Sequence, residues 1–399
     1  MGFKIFFDRN NFGKFDRLSV YDLPLTESIY KDEQGQDHDL LKGVEAQDFG
    51  KKDIEDIHSN RGKEKAKGAM KLGKVIHRKT VEDRLLGDDI KGVKNDKGQE
   101  LNLDNLKNFM VSPPTEIITT GSNTKLDKND SAITYKLTLP AYQGIYFDKK
   151  KNKFQLIRTC PQAGACAVSC YAGKNGYIMY PASAEKASKV LTLLLNNPNG
   201  FKNKIVSELK QAYANASIGP TGDSVEPNVV LRWHDAGDFF SKGYVKMAED
   251  IMKETPFIKH YAYTKSVDML KNSPIPGQDN ANIRYSTGGK QDDMVDTKKD
   301  LNAPMVPRSY VKDLDVKKVP VGDPKLKKFK TEMSEQDRDT LKDRLAKKYG
   351  IEKNTIFFND QLQDISIGEA GMMNVFIFPW DSDEASPRPD VHSTMLLQH

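Results

Sequence analysis

The residues from about 132 onwards show the alternation of apolar and polar side chains that β-strands have. Positions 133–139 alternate with a period of two, which predicts a strand with one buried face. The apolar runs 145–147 and 154–157 flank the polar segment DKKKNK, so we expect a β-hairpin there.

Further along, helix-like and strand-like patterns take turns. Apolar residues at helical spacing predict helices at 182–196, 203–214, 244–254, 266–272 and 335–349. Apolar runs of strand length lie at 228–233, 258–263, 283–286, 355–358 and 375–378. Because strands that alternate with helices form parallel sheets, the sequence predicts an α/β domain over residues 131–399.

Residues 1–130 follow a different pattern. They are rich in charged residues, glycine and asparagine, and their apolar patches are short. Glycines at positions 62, 68 and 73 weaken any helix there. We expect a long irregular extension with local helices and little independent core, ending near Pro113 and Pro114 and the polar run 119–130.

Composition narrows the class of protein. The hydrophobic share of 37% is low for a compact enzyme, so part of the chain is expected to be solvated or to cover a partner. No run of 18 apolar residues occurs, which argues against a transmembrane helix. The first residues have no long apolar core, so we do not expect a secretory signal.

Positive charge is concentrated in one segment. The net charge is +5, yet residues 298–330 hold ten Lys or Arg against four Asp. Four prolines in this segment favour a loop, and a solvated connection explains it most simply. Contact with a nucleic-acid backbone is the sharper alternative.

All three cysteines of the 399-residue chain lie within eleven residues: Cys160, Cys166 and Cys170. Thiolates bind soft metals and iron–sulfur clusters. Three thiolates on one loop can hold three corners of a four-iron cluster and leave the fourth iron open to a ligand. The segment from Cys160 to Cys170, hereafter the cysteine loop, follows the predicted strand 153–158 and precedes a predicted helix, a position where α/β folds place their chemistry.

Other interpretations of the cysteine loop stay open. A zinc site would need a fourth ligand, for which His234 or His260 could serve. A disulfide with one free thiol and three ordinary buried thiols are the remaining alternatives. We favour the iron–sulfur cluster.

Three predicted strands end in polar segments: RWHDAGD at 232–238, YTKS at 263–266 and STGGK at 286–290. In a parallel sheet these carboxyl ends meet at one edge, where function is usual. We expect Asp235, Asp238, Ser286, Gly288 and Gly289 to bind a cofactor, and His234 and Lys265 to lie nearer a substrate. Helix capping, a solvated lysine and a simple turn are the structural alternatives.

These residues resemble radical S-adenosylmethionine enzymes, in which a cysteine loop after the first barrel strand holds a four-iron cluster. The segments CPQAGACAVSCYA, HDAGDF, YAYTK, IRYSTGG and the terminal DVHSTMLLQH look more specifically like an uncharacterised phage gene-product family that is suspected of being radical-SAM-like. The resemblance covers about 150–399. The spacing C-x5-C-x3-C is longer than the superfamily's C-x3-C-x2-C, and AspAlaGlyAsp stands where Gly-Gly-Glu is usual.

The resemblance implies a partial or complete parallel (β/α) barrel of radical-SAM type. It implies a phage iron–sulfur protein that binds a 4Fe-4S cluster through Cys160, Cys166 and Cys170. It also implies S-adenosylmethionine as a cofactor that the cluster would cleave reductively, with His234 and Lys265 as candidate catalytic residues and a substrate still to be found.

A second hypothesis is non-catalytic. The chain would be a virion-associated or packaged protein in which the metal loop is a staple, and residues 1–130 would contact virion proteins. Nucleic acid through 298–330 is a further candidate partner. We expect the protein in the cytoplasm of the bacterial host or, on the second hypothesis, in the virion.

Overall fold

The structure is a computed structural model. It describes residues 28–48, 86–94, 100–101, 107–108, 110–120, 132–170, 181–218, 222–320, 329–365, 372–379 and 385–397. In this part of the chain, no helix is long and apolar enough to cross a membrane.

The described strands, in chain order, are β1 Ile29–Lys31, β2 Asp37–Asp39, β3 Ala46–Asp48, β4 Leu86–Lys94, β5 Glu100–Leu101, β6 Ile118–Thr120, β7 Ile133–Leu137, β8 Gln143–Asp148, β9 Lys153–Arg158, β10 Val229–Trp233, β11 Lys259–Thr264, β12 Ala281–Ser286, β13 Asn302–Ala303, β14 Met305–Val306, β15 Lys317–Pro320, β16 Phe329–Glu332, β17 Ile356–Phe358, β18 Met373–Ile377 and β19 Val391–Leu397. The α-helices are α1 Cys166–Ser169, α2 Pro181–Asn196, α3 Pro198–Ala216, α4 Lys242–Glu254, α5 Val267–Lys271 and α6 Glu335–Tyr349.

Ten described strands form one large sheet, in the order β6-β7-β10-β11-β12-β13-β19-β18-β17, with β14 also paired to β19. All neighbours are parallel except β6 and β7. The predicted α/β class and parallel sheet are therefore confirmed. The predicted helix 335–349 also matches α6, which ends at Gly350 in the left-handed conformation.

The sheet differs from a closed (β/α) barrel. From β7 to β13 the parallel strands follow one another in chain order, as they would in part of a barrel. The last three strands enter in reverse, so that β19 lies beside β13 and β17 is at the far edge. Among the described strands β6 and β17 do not pair, and the sheet is open between them.

The two faces of the sheet have different chemistry. One face carries Leu231, Trp233 and Ala262, which pack with the apolar sides of α2, α3 and α4 in the main hydrophobic core. The register places Arg232 and Tyr263 on the other face, where the Arg232 guanidinium lies 5.6 Å from the centre of the Tyr263 ring. A parallel sheet is usually apolar on both faces. The face that carries Arg232 and Tyr263, hereafter the inner face, is polar instead.

Residues 28–48 of the N-terminal region contribute to the domain core. Tyr30 and Leu40 are fully buried, and the Tyr30 hydroxyl donates to Asp250 on α4 at 2.7 Å. Strand β3 pairs with β9 in a separate antiparallel sheet, β3-β9-β8. Residues 28–48 thus form strands that share the core of the α/β domain, where we expected local helices. Most other residues of 1–130 lie outside the described ranges.

The basic segment 298–330 contains an antiparallel hairpin, β15–β16, where we expected mainly loop. Residues 321–328 lie outside the described ranges. Lys317 and Lys330 form exposed ion pairs with Asp315 and Glu332, at 3.1 and 3.4 Å. The described part of the segment therefore mixes both charge signs, and its role in nucleic-acid binding stays a prediction.

Candidate functional site

The cysteine loop begins two residues after β9, which confirms the predicted strand 153–158 and the hairpin with β8. This strand belongs to the small antiparallel sheet and not to the main parallel one. Cys160 opens the loop, Cys166 begins the single turn α1, and Cys170 follows that turn. All three cysteines are free and partly buried.

Backbone contacts fasten the cysteine loop to the carboxyl end of β12. The N–H of Cys166 donates to the carbonyl of Gly288 at 3.0 Å, and the N–H of Lys290 donates to the carbonyl of Gln162 at 2.9 Å. Ala163 and Gly289 form an antiparallel bridge between the same segments. The loop therefore lies at the carboxyl edge of the parallel sheet, where the sequence predicted the site.

Two glycines make this approach feasible. A Cβ atom on Gly164 would lie 3.0 Å from the carbonyl oxygens of Gly288 and Gly289. Gly288 has a φ of +90°, and a Cβ atom there would lie 3.4 Å from the Cβ of Cys166. Glycine meets both needs because it has no side chain and tolerates positive φ.

Hydrogen bonding and charge act on two of the thiols. The backbone N–H of Tyr142 donates to the sulfur of Cys160 at 3.2 Å. Burial raises the pKa of the Cys160 thiol, and the Asp238 carboxylate raises it further. Burial also raises the pKa of the Cys166 thiol, which the Lys265 ammonium partly offsets. The sulfurs of Cys160 and Cys166 each interact electrostatically with Cys170, so the three thiols share one neighbourhood.

Asp238 is a buried carboxylate that accepts three hydrogen bonds. Its Oδ1 accepts from the N–H of Phe239 at 2.8 Å and from the hydroxyl of Thr264 at 2.6 Å. Its Oδ2 accepts from the N–H of Lys265 at 2.9 Å. Burial raises the pKa of Asp238 despite these donors. Asp238 thus joins the segment after β10 to the end of β11, and the predicted cofactor contact stays a prediction.

The glycine pair predicted to bind a cofactor already has a partner within the protein. The N–H groups of Gly288 and Gly289 donate to the two oxygens of Asp292, each at 2.8 Å. Nearby, the Lys265 ammonium donates to the hydroxyl of Ser286 at 2.5 Å. Ser286 and Lys265 therefore meet at the edge of the inner face, next to the cysteine loop.

Asp235 forms ion pairs on the inner face of the sheet. Its carboxylate lies 3.1 Å from the ammonium of Lys136 and 3.6 Å from the guanidinium of Arg232. The side chain of Asp235 is only 2% exposed, whereas those of Lys136 and Arg232 are 13% and 12% exposed. Asp235 therefore links β7 to β10 near their carboxyl ends.

His234 lies in an aromatic cluster. Its Nε2 is 2.8 Å from the Tyr244 hydroxyl, and the rings of Trp233, Phe239 and Tyr244 surround it. Burial lowers the pKa of His234 to about 3, so the imidazole is neutral at physiological pH. Its backbone has a φ of +58°, in the left-handed region that residues other than glycine seldom adopt. This apolar environment is that of a core histidine, and the catalytic role stays a prediction.

His260, the other histidine considered as a zinc ligand, also has hydrogen-bond partners within the protein. The indole N–H of Trp233 donates to its Nδ1 at 3.1 Å, and its Nε2 lies 3.0 Å from the hydroxyl of Thr255. Within the described ranges, no three His, Cys, Asp or Glu side chains form a ready group for a metal ion.

Comparison with protein families matches residues 117–352 to the family described as Gene product 88. The chain belongs to the gene product 88 family. The gene product 88 match includes the cysteine loop and the three polar strand ends, whereas the terminal strand β19 lies beyond it. Neither the curated proteins nor the solved structures yielded a match.

The structure adds residues that the sequence did not single out, namely Tyr142, Lys136 and Asp292. Asp292 comes only three residues after Gly289, and this closeness in sequence is the signal that could have led to it. Tyr142 and Lys136 carry no motif, because their positions depend on how the strands pair.

Proposed function

We propose that this gene product 88 protein is a phage iron–sulfur protein that binds a 4Fe-4S cluster through Cys160, Cys166 and Cys170. The observation that carries the proposal is that three thiols, the only ones in the chain, share one loop fixed at the carboxyl edge of a parallel sheet. A cluster held by three thiolates keeps one iron for an outside ligand.

The surroundings of the cysteine loop suit a bulky anionic group. Gly164 and Gly288 keep side chains away from the place where the loop meets β12. The Tyr142 amide and the Lys265 ammonium supply positive polarity close to Cys160 and Cys166. Since burial raises the pKa of both thiols, metal binding at these sulfurs would be coupled to the release of their protons.

S-adenosylmethionine finds less support than the cluster. The Gly288 and Gly289 amides donate to Asp292, and Asp238 accepts three hydrogen bonds. The residues expected to hold this cofactor therefore have partners within the protein. When bound to an open iron, S-adenosylmethionine would supply radical chemistry, and that part of the proposal rests on the resemblance.

Lys265 is the residue best placed to act on a ligand at the open iron. Its side chain is partly buried, contacts the Ser286 hydroxyl and acts electrostatically on Cys166. An ammonium in this position would attract a carboxylate or another anion towards the cluster. We propose this binding role for Lys265 in place of proton transfer.

Anaerobic reconstitution with iron and sulfide tests the proposed function. We expect a brown protein with about four iron and four sulfide per chain. Cys160→Ser, Cys166→Ser and Cys170→Ser should each lose most of the iron. Ser169→Ala, on the same loop, is the matched control and should keep it. A colourless chain that holds zinc under these conditions would overturn the proposal.

A further inference from the structure

Tyr142 is one of three described residues other than glycine with a positive φ, +67°. It lies between β7 and β8, outside the cysteine loop. A left-handed backbone is costly for a residue with a Cβ atom, and such strain is concentrated at functional sites. The surrounding structure must therefore hold Tyr142 in this conformation.

Contacts with the start of the cysteine loop account for that conformation. The carbonyl of Tyr142 accepts the N–H groups of Thr159 and Cys160, at 3.0 and 3.2 Å. Its own N–H then points at the sulfur of Cys160, 3.2 Å away. The three hydrogen bonds thus join the backbone of Tyr142, through both its carbonyl and its N–H, to Thr159 and Cys160.

The Tyr142 ring is fixed from the opposite side. The Arg158 guanidinium lies 4.4 Å from the ring centre, and Arg158 pairs with Glu45 at 3.0 Å. Contacts to both the backbone and the side chain of Tyr142 thus hold its N–H close to the Cys160 sulfur.

We infer that the backbone amide of Tyr142 is a built-in hydrogen-bond donor to metal-bound Cys160, and that its left-handed conformation aims this donor at the sulfur. The inference rests on the proposed cluster. Hydrogen bonds to cysteine sulfur withdraw charge from a cluster and raise its reduction potential. Tyr142 is therefore a positioning residue that tunes Cys160.

Two substitutions separate the backbone from the side chain. Tyr142→Gly removes the ring but tolerates positive φ, so the amide should still reach Cys160. Tyr142→Val also removes the ring, but a β-branched residue strongly disfavours this φ and should turn the amide away. The matched control is Asn152→Val, at another position of positive φ (+49°) in the β8–β9 turn.

The readout is the reduction potential of the reconstituted full-length chain, followed by EPR during a redox titration. We expect Tyr142→Gly and Asn152→Val to keep the wild-type potential and Tyr142→Val to shift it to a lower value. If Tyr142→Val takes up no iron, Tyr142→Ala, with a smaller backbone penalty, provides the same comparison with glycine.

Equal potentials in all iron-loaded variants would overturn the inference while leaving the proposed function intact. Equal shifts in the glycine and valine variants would also overturn it, because they would point to the ring alone. A wild-type chain that takes up no iron would overturn the proposed function itself.

Discussion

Cys166 donates its backbone N–H to the carbonyl of Gly288 at 3.0 Å, and this hydrogen bond joins the cysteine loop to the end of β12. The two residues are separated by 122 positions in the sequence. This hydrogen bond places the cysteine loop at the carboxyl edge of the parallel sheet.

Gly288→Ala should disturb the cysteine loop. The alanine would have to keep the strained φ of +90°, and its Cβ atom would lie 3.4 Å from the Cβ of Cys166. We expect a loss of about 1–2 kcal/mol in the free energy of unfolding, together with reduced iron uptake. The control is Gly222→Ala, which has a φ of +85° but no atom within 4 Å. It should share the loss of stability and keep the iron, and equal iron uptake in both variants would contradict this prediction.

Asp292→Ala should weaken the contact between the cysteine loop and the turn at Gly288 and Gly289. It removes the acceptor for the Gly288 and Gly289 amides. We expect faster hydrogen exchange of these two amides and of Cys166, measured by mass spectrometry. Asp293→Ala, its exposed neighbour, should leave exchange unchanged. Unchanged exchange in Asp292→Ala would show that the turn holds without its carboxylate.

Asp238→Ala should be strongly destabilising. Three buried or partly buried donors, from Phe239, Thr264 and Lys265, would lose their acceptor. We expect a loss of roughly 2–4 kcal/mol in chemical denaturation, since unsatisfied buried donors are costly. Asp279→Ala, at an exposed position, should change stability by less than about 0.5 kcal/mol. A similar small change for Asp238→Ala would contradict the joining role of this carboxylate.

Acid should destabilise the fold through its buried histidines. Burial lowers the pKa of His234 and of His260 to about 3, below the unfolded value of 6.5. The unfolded chain therefore binds protons first, and the stability present above pH 6.5 is lost as the pH falls towards 3. At pH 5 the loss is about 2 kcal/mol for each histidine.

His260→Asn tests this pH dependence. Asparagine keeps an acceptor for the Trp233 indole but does not titrate. We expect lower stability at pH 7 from the lost volume, and a slope of unfolding free energy against pH that is reduced by about one proton between pH 6.5 and 3. An unchanged slope would show that His260 does not contribute.

The sequence predicted most helices and strands because their apolar periodicity is clear, as at 335–349 and 153–158. It also predicted that the cysteines and polar strand ends meet at one edge. It could not predict the reversed entry of β17, β18 and β19, because strand order depends on long-range packing. The hydrogen-bond partners of Asp238 and Gly288 could not be predicted from the sequence either, because hydrogen bonds between distant segments leave no local pattern.

We propose that the cysteine loop holds a four-iron cluster with one iron open to a ligand. The most direct test is a Mössbauer spectrum of the anaerobically reconstituted chain, recorded with and without S-adenosylmethionine. We expect the spectrum of a four-iron cluster in which one iron differs from the other three. A chain that binds only zinc, or iron without sulfide, would contradict it.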